Sequence, residues 1–409
     1  MSRDSKDLIV GLDIGTAKIF ALVAEVTPEG RLNVIGIGSQ ESRGLRKGVV
    51  VNIEETVGAI SRVIQEVELM ADCKVRDVYT GIAGSHIRSF NSNGMVAIKD
   101  KEVTPTDVER VIETARAMPI PADQEILHIL TQEFIIDDQD GIREPIGMSG
   151  FRLEAKVHIV TGAVSAAQNI VKCVRRCGIE VNDLVLQPLA SSYAVLSEDE
   201  KDLGVCLVDI GGGTTDIAVW TQGAIRHTSV IPIAGDQITN DIAMALRTPT
   251  REAEDIKCRH GCALSQLADP EEVLDVAGVD DRPSRKLSRR ALADVIQPRV
   301  EELFELIQAE LRRAGFEEVL SSGIVLTGGT AAMPGMIELG EEIFHMPVRL
   351  GLPKYSGALA DVVQSPRFST AYGLLLEAQT QHRRGQKVHE TRSFRQVLGR
   401  MRSWFEKNF

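Results

Sequence analysis

LGVCLVDIGGGTTDIAVW, residues 203 to 220, decides the fold, because the chain carries a diverged copy of it, DLIVGLDIGTAKIFALVAEV, at residues 7 to 26. Each copy reads as an apolar strand, an Asp-Ile-Gly turn and a second apolar strand, with Asp13 matching Asp209. A further strand-like piece follows each copy: residues 31–39 after the turn Pro28-Glu29-Gly30, and residues 224–233 after Gln222-Gly223. The pattern predicts a three-strand antiparallel meander, made twice. For one copy alone an ordinary β-hairpin would be the simpler reading, and the repetition argues against it.

Working outward, each meander precedes helical stretches and then a strand that ends in glycine, at residues 78–84 and 324–329. Strands alternating with helices imply mixed α/β layers. We therefore expect an α/β fold of two duplicated domains around a cleft, with core pieces 1–83 plus 162–200 and 201–234 plus 305–377. A cleft between two such domains is a favoured place for a ligand. Two insertions interrupt the halves. Residues 84–161 read as a β-α-β-β unit whose helix starts with Thr104 as N-cap and Pro105 at its first position. Residues 235–304 read as mostly helical, with a long amphipathic helix from Ser288 that Pro298 should kink and Gly315 should end.

Composition narrows the function. The 409 residues carry 46 Lys and Arg against 58 Asp and Glu, a net charge of −12, with 43% hydrophobic and 4% aromatic residues. That is an ordered globular chain. It lacks the basic face and stacking rings of a general nucleic-acid binder, so no nucleic acid is expected as a partner. Its apolar runs are strand-sized, far below the ~20 residues that cross a bilayer. The polar start, MSRDSKD, lacks signal-peptide character, and a cytoplasmic place is expected. Six cysteines show no repeated CxxC; Cys258, His260 and Cys262 cluster without a second half-site, which favours plain thiols over a zinc site.

The two turns suggest chemistry. Each puts a carboxylate at a strand end with Gly and Thr beyond it, so backbone N–H groups and a hydroxyl can approach an anion. Two opposed turns could hold a phosphate chain at Gly15 and Thr16 and at Gly211, Gly212, Gly213 and Thr214, with Lys18 adding positive charge. Asp13 and Asp209 could hold a hydrated Mg2+. GIVLTGGTAAMPG, residues 323–335, delivers Gly328, Gly329 and Thr330 to a turn where a sugar or base could pack. No Walker motif is present, and Gly36-Ile-Gly38 lacks the third glycine of a dinucleotide fingerprint.

This order of turn, connecting helix (187–196), second turn, third turn and second connecting helix (368–376) resembles the actin, Hsp70 and sugar-kinase ATPase superfamily. Within it, LASSYAVL at 189–196, VDIGGGTTDIAV at 208–219, the β-α-β-β insertion and the amphipathic C-terminus resemble the FtsA family of bacterial cell-division proteins, along essentially the whole chain. The resemblance implies an actin-like fold that binds ATP and Mg2+, polymerises under the inner membrane, ties the tubulin-like protein FtsZ to that membrane and brings in later division proteins. Carried over by motif, it places Lys257 at the adenosine and Gln187 where superfamily members orient the attacking water. An amide there favours slow hydrolysis. Asp216 looks like a further acidic member of the site, with a solvent-facing strand carboxylate as the alternative.

The insertion 235–304 resembles the family's FtsZ-binding subdomain. Its Arg282, Arg285, Lys286, Arg289, Arg290 and Arg299 would suit an acidic C-terminal peptide of FtsZ, with Arg285, Arg299 and Glu302 the residues expected to touch it. Residues 378–392 read as a polar tether. In 393–409, Phe394, Val397, Leu398, Met401, Trp404 and Phe405 form one helical stripe flanked by Arg395, Arg400, Arg402 and Lys407, as suits a helix lying on an anionic lipid surface. The competing expectations are a helix docked on the protein's own core, a small-molecule kinase of the same superfamily, a chaperone of the Hsp70 type, for which too little chain follows the core, and an actin-like scaffold of pilus assembly.

Overall fold

The computed structural model describes residues 8–278 and 283–383. The first half opens with β1 (Leu8–Ile14), β2 (Lys18–Val26) and β3 (Leu32–Glu41), an antiparallel meander. A small hairpin, β4 (Leu45–Arg46) and β5 (Val49–Val50), leads into α1 (Ile53–Ala71). Asn52 starts α1 by accepting the Glu55 N–H, and Glu54 and Glu55 place negative charge at its positive end. β6 (Asp77–Ile82) then pairs parallel to β1.

Here the chain departs into a separate module: β7 (Arg88–Ala97), α2 (Pro105–Arg116), β8 (Gln124–Ile136), β9 (Gln139–Ile142) and β10 (Arg152–Ala163). Its sheet, ordered β7-β10-β8-β9, packs its own apolar cluster against α2, which begins with a Thr104–Asp107 capping box. The chain returns through α3 (Val164–Arg176) and β11 (Glu180–Leu186), then crosses by α4 (Gln187–Val195) and α5 (Glu198–Leu203).

The second half repeats the first. β12 (Val205–Ile210), β13 (Thr215–Thr221) and β14 (Ala224–Ile231) form the second meander. α6 (Gly235–Leu246), α7 (Thr250–His260), β15 (Val273–Val276), β16 (Arg285–Ser288) and α8 (Arg289–Ala314) follow. Next come β17 (Ile324–Thr327), α9 (Met336–Phe344), β18 (Val348–Leu350) and α10 (Ala360–Val363), and α11, the last helix among the described residues, covers 369–383. The two five-stranded sheets have orders β11-β6-β1-β2-β3 and β14-β13-β12-β17-β18, with the same pattern of antiparallel and parallel neighbours. The duplication expected from the three-strand meanders and the glycine-ended strand after each therefore extends through five strands of each sheet.

Two details differ from the sequence reading. The second insertion contains a β15–β16 hairpin as well as helices. Helix α8 runs as expected to Ala314 with Pro298 inside it, its buried face continuing on both sides of the proline from Leu292 and Ile296 to Val300 and Phe304, and Gly315, with φ of 77°, ends it. Helix α11 continues to residue 383, past the point where the tether was expected to begin, because Gln381 donates to Asp183 at 2.7 Å and the His382 ring lies against Tyr79. The remaining tether and the expected membrane helix, 393–409, lie outside the described residues, as does Arg282. Among the described residues no helix is long and apolar enough to cross a membrane.

Candidate functional site

The two turns are equivalent atom for atom. The Gly15 N–H donates to the Lys18 carbonyl at 3.1 Å, and the Gly211 N–H donates to the Thr214 carbonyl at 3.0 Å. The start of α6 fixes the second turn, with the Gly235 and Asp236 N–H groups donating to the Gly211 and Gly212 carbonyls at 3.1 and 2.7 Å. The tips of the two turns touch. A Cβ on Gly213 would lie 2.6 Å from Thr16 Oγ1, and one on Gly212 would lie 2.6 Å from Ala17 Cβ, so only glycine lets the halves close this far. Thr16 Oγ1 also accepts the Gly48 N–H at 3.0 Å, which seats the β4–β5 hairpin on the first turn.

Where the turns meet lies a cavity of about 410 Å³. Asp13, Gly15, Thr16, Lys18, Gln187, Asp209, Gly211, Gly212, Gly213, Thr214, Asp216, Lys257, Gly328, Gly329 and Thr330 all line it. The structure thus brings together every residue singled out for nucleotide or cation in the sequence. Asp216 is buried, against the solvent-facing alternative. Gln187, the first residue of α4, donates its Nε2 to Asp13 Oδ1 at 3.0 Å. Lys257 has all three ammonium hydrogens matched by acceptors: the Gly235 carbonyl at 3.1 Å, Thr239 Oγ1 at 2.9 Å and Glu254 Oε2 at 2.7 Å. Such a lysine braces the wall of the cavity rather than offering a spare donor.

Three buried carboxylates share this space. Burial, and then the charge of Asp209, push Asp13 up to about 8. Burial, and then the same charge, push Asp216 up to about 8, although Thr214 donates to its Oδ2 at 3.0 Å. Burial also raises Asp209, opposed by hydroxyl bonds from Ser191 and Thr370. Asp216 Oδ1 is buried without a hydrogen-bond partner. Orphaned carboxylate oxygen in an all-oxygen set is what a hard divalent cation satisfies, so these residues fit Mg2+. No group of three or more among the described acids, cysteines and histidines is arranged to hold a metal by itself, which suits an ion carried mostly by water and phosphate oxygens.

Sequence reasoning missed Ser191, Thr370, Asp236 and Glu254. Ser191 follows Gln187 by one helical turn, a spacing visible in the sequence; the others meet the site only through tertiary packing. The residues expected to hold a partner peptide are already engaged. The Arg299 guanidinium donates to both Asp241 oxygens, at 2.5 and 3.1 Å, and to Glu302, while Arg285 donates to the Leu246 carbonyl. Cys258 lines the cavity beside Glu254, His260 pairs with Glu272, and Cys262 is buried; these three side chains have different partners.

Two repeated five-stranded sheets whose acidic hairpin turns meet at a shared cavity, beneath a pair of crossing helices, define the actin-like class of fold. The solved PilM–PilN type IV pilus biogenesis complex matches with a TM-score of 0.65 at 17% identity, covering 90% of this chain and 98% of that one. MreB5 of Spiroplasma citri bound to ADP matches with a TM-score of 0.57 at 15% identity, covering 93% and 99%. The family model "Cell division protein FtsA" matches residues 206–373, and "SHS2 domain inserted in FTSA" matches residues 84–161. The cell division protein FtsA of Pseudomonas aeruginosa is 60% identical over 415 aligned residues, covering 100% of both chains. The chain belongs to the FtsA family of cell-division proteins.

Proposed function

We propose that this chain binds ATP with Mg2+ in its central cleft, polymerises on the cytoplasmic face of the inner membrane, and there tethers FtsZ at the division site and receives later division proteins. The observation that carries this reading is the meeting of the two Asp-Ile-Gly turns at one cavity, lined by Gly15, Thr16 and Lys18 from one side and Gly211 to Thr214 from the other. Backbone N–H groups and hydroxyls there suit phosphate oxygens. Asp13 and Asp209 would hold the cation, mostly through its water, with Asp216 beside them, and the cation would neutralise phosphate charge when bound. Gln187 orients water through its amide and keeps Asp13 in place. With no carboxylate at that position, turnover is slow and binding itself drives assembly.

In this reading the core pieces are 1–83 with 162–200 and 201–234 with 305–377, and the modules are 84–161 for later division proteins and 235–304 for the FtsZ peptide. Arg285, Arg299 and Glu302 mark the peptide's place, with Asp241 as the internal acid it would displace. Residues 393–409 bind anionic lipid weakly as single helices, each basic residue adding roughly 1 kcal/mol, so a polymer of many anchors is held where one subunit exchanges. Sedimentation with anionic liposomes, with and without ATP, compares the full chain with one ending at Glu390. ATP-promoted pelleting of the full chain and a soluble truncation are expected. If both stay in solution, the membrane role is lost.

A further inference from the structure

Helix α4 carries Gln187 and, four residues later on the same face, Ser191. Gln187 Nε2 donates to Asp13 Oδ1 at 3.0 Å, and Ser191 Oγ donates to Asp209 Oδ2 at 2.5 Å. One helix joining the halves therefore holds one carboxylate from the acidic turn of each half. The other helix that crosses between the halves, α11, brings Thr370 to the same place. Thr370 Oγ1 lies 3.0 Å from Ser191 Oγ and 3.3 Å from Asp209 Oδ2. Ser191 is fully buried, and Thr370, at the wall of the cavity, is nearly so.

This leaves the two oxygens of Asp209 in different surroundings. Oδ2 is turned to the crossing helices and takes the hydroxyl bonds. Oδ1 lies against Gly328, where a Cβ would come within 2.4 Å of it. A carboxylate whose one oxygen is bonded inside the protein presents the other in a fixed direction, and bonds to an ionised acceptor are the strong ones. Gln187 treats Asp13 in the same way from one turn earlier.

Resting on the nucleotide and divalent-cation reading above, we propose that Ser191 and Thr370 are positioning residues for the cation. They fix Asp209 Oδ2 to the two connecting helices, so that Oδ1 meets the hydrated ion without the side chain having to reorient. Partners that orient a ligand in this way commonly govern metal affinity without touching the metal.

The test uses the full chain and a fluorescent ATP analogue, titrating Mg2+ at fixed nucleotide, in the parent, Ser191→Ala, Thr370→Val and Thr370→Ser. Loss of either hydroxyl is expected to raise the Mg2+ concentration at half-saturation roughly 10- to 100-fold. Nucleotide affinity in EDTA stays at the parent's value, and Thr370→Ser, which restores a hydroxyl, returns the parental midpoint. The proposal is overturned if Ser191→Ala and Thr370→Val keep the parental Mg2+ midpoint, or if both lose affinity equally with and without Mg2+, which is the mark of a packing role. A parent that binds the analogue with no response to Mg2+ removes the underlying reading and this one with it, and the parent alone decides that. Thermal unfolding of each variant confirms that it is folded before titration.

Discussion

Asp209 faces Asp216 across the β12–β13 ladder, whereas Asp13, its counterpart in the first half, faces Phe20. The repeat is thus symmetric in backbone and asymmetric in charge, and the extra carboxylate sets a pH dependence. Burial first, and the Asp209 charge second, raise Asp216 from an ordinary 3.8 to about 8. Between those values the folded chain keeps a proton that the unfolded chain has lost, so stability falls as pH rises through this window. Asp216→Asn has no charge to bury. We expect its melting temperature, measured by calorimetry without nucleotide, to decline less than the parent's from about pH 6 to about pH 9. Parallel declines in the two proteins would show that Asp216 is ionised throughout.

The elements that place these residues cross at one tight point. A Cβ on Gly373 of α11 would lie 1.8 Å from the Ala190 carbonyl oxygen of α4, and backbone cannot yield as a flexible side chain can. Gly373→Ala must part the helices, at about 1–3 kcal/mol or more by the usual cost of overpacking. Its urea midpoint should fall accordingly, and an unchanged midpoint would mean that the crossing is loose. Much of this level could be read in advance. The meanders, the Thr104 cap and Gly315 are local signals of strand pattern, capping and left-handed turn. The β15–β16 hairpin could not be, because Arg285 and Lys286 are exposed and give no apolar alternation. Nor could the last turns of α11, which are held by Asp183 and Gly30 from elsewhere in the sequence. The same reason hid Thr370: its bond to Asp209 joins residues 161 apart.

At the scale of the molecule, the 84–161 module belongs by chain to the first half but rests on the second. Ser89 Oγ donates to the Thr228 carbonyl at 2.9 Å, Gln132 Nε2 to the Ile225 carbonyl at 2.9 Å, and Arg143 to Asp202 at 2.6 Å. At the centre sits His158, with Nδ1 2.8 Å from Asn91 Oδ1 and Nε2 3.0 Å from Thr228 Oγ1. Asn91 Oδ1 can only accept, so Nδ1 carries the proton and Nε2 accepts from the threonine hydroxyl; this arrangement wants a neutral ring. Burial first, and then His227, lower His158 from 6.5 to about 4. Below 6.5 the unfolded chain takes up a proton that the folded interface refuses until about 4, so the contact loses stability as pH falls through that window. His158→Leu leaves the Thr228 hydroxyl without its acceptor, at about 1–3 kcal/mol. Hydrogen exchange, corrected for intrinsic rates, should then quicken in residues 224–231 at neutral pH and lose the parent's acid sensitivity. Unchanged protection there would mean that the halves are held by the crossing helices alone. Quickened exchange would mean that any opening of the cleft must either break this polar contact or carry the module with it.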